Sequence, residues 1–263
     1  MFNPTDSSNK NKIIIISALL VLLIALVVGA FWYLTKKQMF VNQQETAKSL
    51  QKDNTKILNE INTNAIKPVR PLNQSDHVLG NINAPVAIIF YGDFDCPFSA
   101  DYYETLKKVK SEYGDKIAIG FRDFPHYDLA LPAALAAECA AEQGKFWEMA
   151  DKLFTDKKNE KLSIDQFESE AQEIGLNAEQ FKQCWEDEKY KEKIQNDWQE
   201  GREANVIGTP DSFINGTQFP GAKPWDNYKD QNGKEQEGLK SIIDKLLQKS
   251  NFNKQKMVSL FYD

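Results

Sequence analysis

The chain has 263 residues, 41% of them hydrophobic and 27% charged, with a formal net charge of −6. Residues 1–70 carry nine Lys/Arg and four Asp/Glu, so the excess of acid lies beyond them. An acidic body argues against binding nucleic-acid phosphates and against lying on an anionic membrane surface.

Ile13 to Leu34 is an uncharged, overwhelmingly apolar run of 22 residues. As a helix it would span about 33 Å, enough to cross a bilayer core. Lys10 and Lys12 precede it; Phe31, Trp32 and Tyr33 close it, followed by Lys36 and Lys37. Interfacial aromatics and flanking lysines suit a spanning helix. The apolar region of a signal peptide is shorter, about 7–15 residues. Residues 13–35 are therefore read as a transmembrane anchor and 1–12 as its N-terminal flank. Residues 36–75 are rich in Lys, Gln, Asn and Thr and group only Ile57, Leu58 and Ile61. They read as a stalk, ending in the extended stretch Pro68-Val69-Arg70-Pro71.

The globular part follows, over about 76–250. Pro85 to Tyr91 is a continuous apolar run of strand length, the pattern of a buried strand. After a turn comes Cys96-Pro97-Phe98-Ser99, then a helix over Ala100 to Tyr113 closed by Gly114. Lys116 to Phe121 reads as a second strand, giving strand–helix–strand. Residues 132–204 read as helices alone. Pro132 opens an alanine-rich helix. Ser163 with Gln166, and Asn177 with Gln180, have capping-box spacing. Phe181, Cys184 and Trp185 share one helical face. Gly208-Thr209-Pro210 then leads into a strand over Ser212 to Ile214, the turn Asn215-Gly216 and a short strand over Thr217 to Phe219. A last amphipathic helix covers 238–248, and the tail over 251–263 is left unassigned.

The chemistry centres on Cys96. It stands between a buried strand and a helix, with Pro97 at the first helical position, where a missing N–H costs nothing. The free N–H groups of that first turn and the positive end of the helix dipole stabilise a thiolate, the reactive form. The bland alternative is a small buried hydrophobe. Asp93 and Asp95 flank the thiol and Asp211 follows Pro210; carboxylates near a thiol oppose its ionisation.

In these blocks the sequence resembles the DsbA-like thioredoxin family. The matching residues are Gly80-Asn81, Ala84-Pro85-Val86, Asp93 through Ser99, Arg122-Asp123-Phe124-Pro125, Ala136 through Ala140, Gln143 through Trp147, Gly208-Thr209-Pro210 and Phe213 through Gly216. The resemblance implies an α/β thioredoxin-like fold with an all-helical insertion. It implies a redox site at Cys96, Pro97, Phe98 and Ser99, and a cis-proline at Pro210 whose loop, with Thr209, packs on the cysteine and meets substrate backbone. It implies protein thiols and disulfides as substrates, with no cofactor. One position departs from the family: the second cysteine of Cys-x-x-Cys is Ser99. A resolving thiol attacks the mixed disulfide from within; Ser99 cannot, so release needs an external thiol. Ser99 is expected to hydrogen-bond to the Cys96 thiolate.

Cys139 and Cys184 lie on helices of the inserted block. Pairing them leaves Cys96 free, and similar placements form a structural bridge in some DsbA-like proteins; two unrelated buried thiols are the alternative. A structural bridge implies an oxidising compartment, which puts residues 1–12 in the cytoplasm and the domain on the periplasmic or extracellular side. His77 and His126 are the only histidines, and neither they nor the cysteines have metal-ligand spacing. Three functions compete: monothiol exchange or isomerisation through Cys96, a non-catalytic module that binds extended peptides in the thioredoxin groove, and a redox-inactive structural or assembly factor.

Overall fold

Val86–Gly92 is apolar at almost every position because it is covered on both faces. In the computed structural model it is the second strand, β2, of a five-stranded sheet. The structure describes residues 31–32, 34–39, 45, 48, 52 and 66–262, with side chains through 252. The chain divides into Met1–Ala65 and Ile66–Asp263. In the first unit, residues 31–32 and 34–39 are helical. Thr35 Oγ1 donates to Trp32 O at 2.9 Å, and Lys36 Nζ lies 4.6 Å from the Trp32 ring. Most of the expected anchor, its flank and much of the stalk lie outside the described residues. Among the described residues no helix is long and apolar enough to cross a membrane.

In the second unit β1 (His77–Gly80) runs antiparallel to β3 (Ile117–Asp123), and β3 runs parallel to β2. On its other edge β2 pairs antiparallel with β4 (Asp211–Ile214), which turns back into β5 (Thr217–Pro220). The sheet order is β1-β3-β2-β4-β5. Helix α1 (Pro97–Tyr113) connects β2 to β3. Between β3 and β4 come α2 (Ala130–Ala141), α3 (Phe146–Lys158), α4 (Phe167–Glu173), α5 (Ala178–Glu186) and α6 (Lys191–Glu203). A hairpin of β6 (Tyr228–Lys229) and β7 (Glu235–Gln236) precedes α7 (Leu239–Tyr262).

β2 side chains alternate between two cores. Val86, Ile88 and Phe90 join α1, α2 and α3 through Tyr102, Leu106, Ala136 and Phe154. Ile89 and Tyr91 face Phe124, Ala204, Val206 and Phe213. Gly201 lets α6 lie close on this second face, since a Cβ there would stand 2.9 Å from the Phe124 and Tyr91 rings.

Several details differ from the sequence reading. The helical block begins at Ala130, which makes Pro132 the third helical residue, still in the first turn, where no intrahelical donor is required. Ser163 caps nothing with its side chain and starts a 3₁₀ turn over Ile164–Gln166. Asn177 does cap α5, its Oδ1 accepting from Gln180 N–H at 2.9 Å. The reciprocal half is missing, because Asn177 N–H donates to Gln143 Oε1 at 2.8 Å. The final helix starts as expected but runs on through the unassigned tail to Tyr262. The second unit starts at Ile66 rather than 76, because Lys67 N–H donates to Glu203 O at 2.9 Å and the Arg70 guanidinium bonds Asp76 and Glu200. The buried Arg122 joins this group, its Nε 2.8 Å from Asp76 Oδ1.

Candidate active site

Cys96 is the N-cap of α1, in extended conformation, and Pro97 is at the first helical position. The first helical bond runs from Ala100 N–H to Cys96 O at 3.1 Å. The helix continues because Ala100, Tyr102, Tyr103, Leu106 and Val109 recur on one buried face. At its far end Gly114 takes φ 55° and Lys110 Nζ donates to Gly114 O at 2.8 Å. α1 thus starts at Cys96, whose side chain caps none of the first-turn N–H groups.

The Cys96 thiol is 1% exposed and donates to Thr209 O at 3.3 Å. The Thr209–Pro210 peptide is cis. Pro210 precedes β4, which pairs with β2 through Tyr91↔Asp211, so the proline loop and the cysteine turn leave adjacent strands at the same end. Pro97 is exposed, Phe98 is 63% exposed and Ile207 is 77% exposed, so apolar surface stands open on both the cysteine turn and the proline loop. A cleft of about 500 Å³ adjoins the turn, lined in part by Asp95, Pro97, Leu129 and Lys157.

Ser99 is fully buried, and its Oγ accepts from Asp93 N–H at 3.4 Å. The expected hydrogen bond to Cys96 is not formed; the hydroxyl serves the backbone of the turn instead. Asp93 and Asp95 likewise do more than flank the thiol. Asp93 accepts from Asp95 N–H at 2.7 Å, His126 N–H at 2.8 Å and Tyr127 N–H at 3.2 Å. Burial pushes the Asp93 carboxyl above its usual range, against the pull of those three donors. Asp95 accepts from Leu129 N–H at 3.0 Å and pairs with Lys157 Nζ at 2.7 Å. Sequence reasoning missed Lys157 and the 126–129 backbone as partners, because nothing near Cys96 in the chain points to them. Asp211 is 1% exposed, with Oδ2 2.7 Å from Gln218 Nε2 and Oδ1 without a hydrogen-bond partner among the described residues. Burial raises its pKa to about 6.

The structure joins Cys139 on α2 to Cys184 on α5 in a disulfide and leaves Cys96 as the free cysteine. Elsewhere Asp123, Glu138 and Asp197 are buried with carboxylate oxygens within 4.8 Å of one another. This is a grouping no sequence spacing reveals. Lys193 Nζ occupies it, 2.8 Å from Glu138 Oε1 and 2.9 Å from Asp197 Oδ2, and His77 Nε2 lies 2.8 Å from Glu138 Oε1. Burial would raise the Glu138 carboxyl, but His77 and Lys193 hold it below its usual range; burial and the Glu138 charge push Asp123 well above. An ammonium already sits among these carboxylates and pairs with Glu138 and Asp197, while Asp123 Oδ2 has no hydrogen-bond partner among the described residues.

Comparison with known proteins places this geometry. A family model described as thioredoxin matches residues 72–245. The Na(+)/H(+) antiporter NhaA 1 of Mycolicibacterium vanbaalenii is 34% identical over 166 residues, covering 61% of this chain and 26% of that protein. NhaA 3 of Salinispora tropica is 32% identical over 157 residues, covering 59% and 23%. The chain spans about a quarter of the length of these curated relatives. Among solved structures, alpha-DsbA1 of Wolbachia pipientis superposes with a TM-score of 0.55 at 23% identity, covering 69% of this chain and 96% of that one. Oxidised BdbD of Bacillus subtilis gives 0.56 at 21% identity, covering 69% and 97%. These likenesses show the fold.

Proposed function

Because this chain belongs to the thioredoxin family, we propose that it exchanges thiols and disulfides through Cys96 as a monothiol enzyme. The observation that carries this reading is the Cys96 thiol at the N-terminus of α1, hydrogen-bonded to Thr209 O at 3.3 Å. There the sulfur stands at a helix N-terminus and beside the cis-proline segment at once. The Thr209–Pro210 segment lies against the sulfur a substrate would have to reach, so a substrate strand meets the thiol beside it. In the reaction, the Cys96 thiolate attacks one sulfur of a substrate disulfide. The old S–S bond breaks, the new one joins Cys96 to the substrate, and the departing thiolate takes a proton. Ser99 has no sulfur to reverse this from within. An external thiol attacks the mixed disulfide, Cys96 leaves as thiolate, and the substrate departs disulfide-bonded to that external thiol. Pro97 and Phe98 set the turn and offer contact surface.

We place the domain outside the cytoplasm, tethered by residues 13–35. The apolar run with its lysine flanks supports the tether, and the buried Cys139–Cys184 bridge suits an oxidising compartment. Ion exchange, named for relatives of which this chain covers about a quarter, is not part of the reading.

A second reading is a peptide-binding module that keeps the groove without turnover. The exposed Phe98 and Ile207 and the absence of a thiol at Ser99 favour it. Incubation with a scrambled disulfide protein separates the two. Exchange predicts a covalent complex that is lost in Cys96→Ala; binding alone predicts a complex that survives that substitution and never becomes covalent.

A further inference from the structure

The turn between β2 and α1 is only Asp93, Phe94 and Asp95, and it fixes where Cys96 stands. Every polar group of Asp93 is engaged in it. Its N–H donates to Ser99 Oγ at 3.4 Å, and its carbonyl accepts from Cys96 N–H at 3.1 Å. One carboxylate oxygen takes Asp95 N–H at 2.7 Å; the other takes His126 and Tyr127 N–H at 2.8 and 3.2 Å. The residue is 2% exposed. These bonds tie the cysteine turn to itself, to the first turn of α1 and to the segment that follows β3.

We infer that Asp93 is a positioning residue for thiol exchange, holding Cys96 at the N-terminal N–H groups of α1. This rests on the exchange reading above. The placement has a chemical cost, because a carboxylate near a thiol opposes its ionisation. Against that cost stand the five hydrogen bonds of Asp93. The two effects have opposite signs, which makes them separable. Removing only a charge favours the thiolate. Removing the brace lets Cys96 drift from the helix terminus and disfavours it. Asparagine removes the charge but keeps one oxygen, enough for part of the donor set; alanine removes everything.

The test is the pH profile of Cys96 alkylation by iodoacetamide, a neutral reagent, on the full chain. With Cys139 and Cys184 paired, Cys96 is the free thiol. The expected result is a midpoint at higher pH in Asp93→Ala by about one unit, which is a tenfold slower reaction on the acid side. Asp93→Asn should fall between it and the wild type. Equal downward shifts in both variants, or no shift, overturn the inference. Should circular dichroism show Asp93→Ala unfolded, Asp93→Asn decides: a midpoint above wild type supports positioning, and one at or below it overturns positioning. Alkylation needs no disulfide substrate, so its outcome is independent of whether exchange itself occurs.

Discussion

Ser99 stands in the first turn of α1, fully buried, three positions after Cys96 and within reach of the Asp93 N–H. A thiol introduced there would share a helical turn with Cys96. Ser99→Cys is therefore expected to form a disulfide between Cys96 and the new thiol, and to release bound substrate without added thiol. Mass spectrometry after alkylation reads both; a mixed disulfide that persists in this variant contradicts the account. Asp211 gives a pH prediction. Burial raises its folded pKa to about 6, above the ordinary value of 3.8. The folded state therefore holds this proton more tightly than the unfolded chain. Stability is greatest below about pH 4 as far as this group is concerned, and is lost as pH rises through about 6. The difference of about two units corresponds to roughly 3 kcal/mol as an upper bound. Asp211→Asn should raise the melting temperature at pH 7.5 and remove most of that gain at pH 4.5. Cys96, Pro97, Thr209 and Pro210 were legible because each sits at a junction marked by proline. The work of Asp93 and Asp95 was not, since their donors at 126, 127 and 129 come from a different connection.

Elements α2 and α5 are joined by Cys139 and Cys184 within a helical block whose order the periodicity reveals. The bridge closes a loop with a sequence separation of 45. In the chain-entropy model such a loop contributes about 4 kcal/mol. Cys139→Ala with Cys184→Ala is expected to lower the urea midpoint accordingly while leaving Cys96 alkylation rates within about twofold, since the bridge lies outside the cysteine turn. Unchanged urea stability would show that the bridge contributes little. Three short strands were not read in the sequence, whereas β4 and β5, as short as β1, were marked by the Asn215-Gly216 turn between them. β1 has four residues and β6 and β7 two each, too few to display a period. β1 exists because Ile119 and its neighbours on β3 supply the ladder. The segment ahead of β1 read as stalk because it is polar and proline-rich; Arg70, Asp76 and Arg122 show that its charges pair within the domain.

In the second unit one five-stranded sheet carries two cores, and the strand at its centre leads into the turn that holds the thiol. The fold was readable because the continuous apolar β2, the helix after Cys96 and the proline before β4 occur in an order that only a few topologies accept. The proposed chemistry turns on Ser99: in that reading one sulfur forms a mixed disulfide and cannot undo it. That claim is tested most directly by trapping and chase. The full chain is incubated with a small disulfide-containing peptide, the adduct is measured by intact mass, and glutathione or buffer is then added. The account predicts an adduct on Cys96 that is stable in buffer and discharged by the thiol. No adduct, or an adduct that discharges in buffer alone, would contradict it.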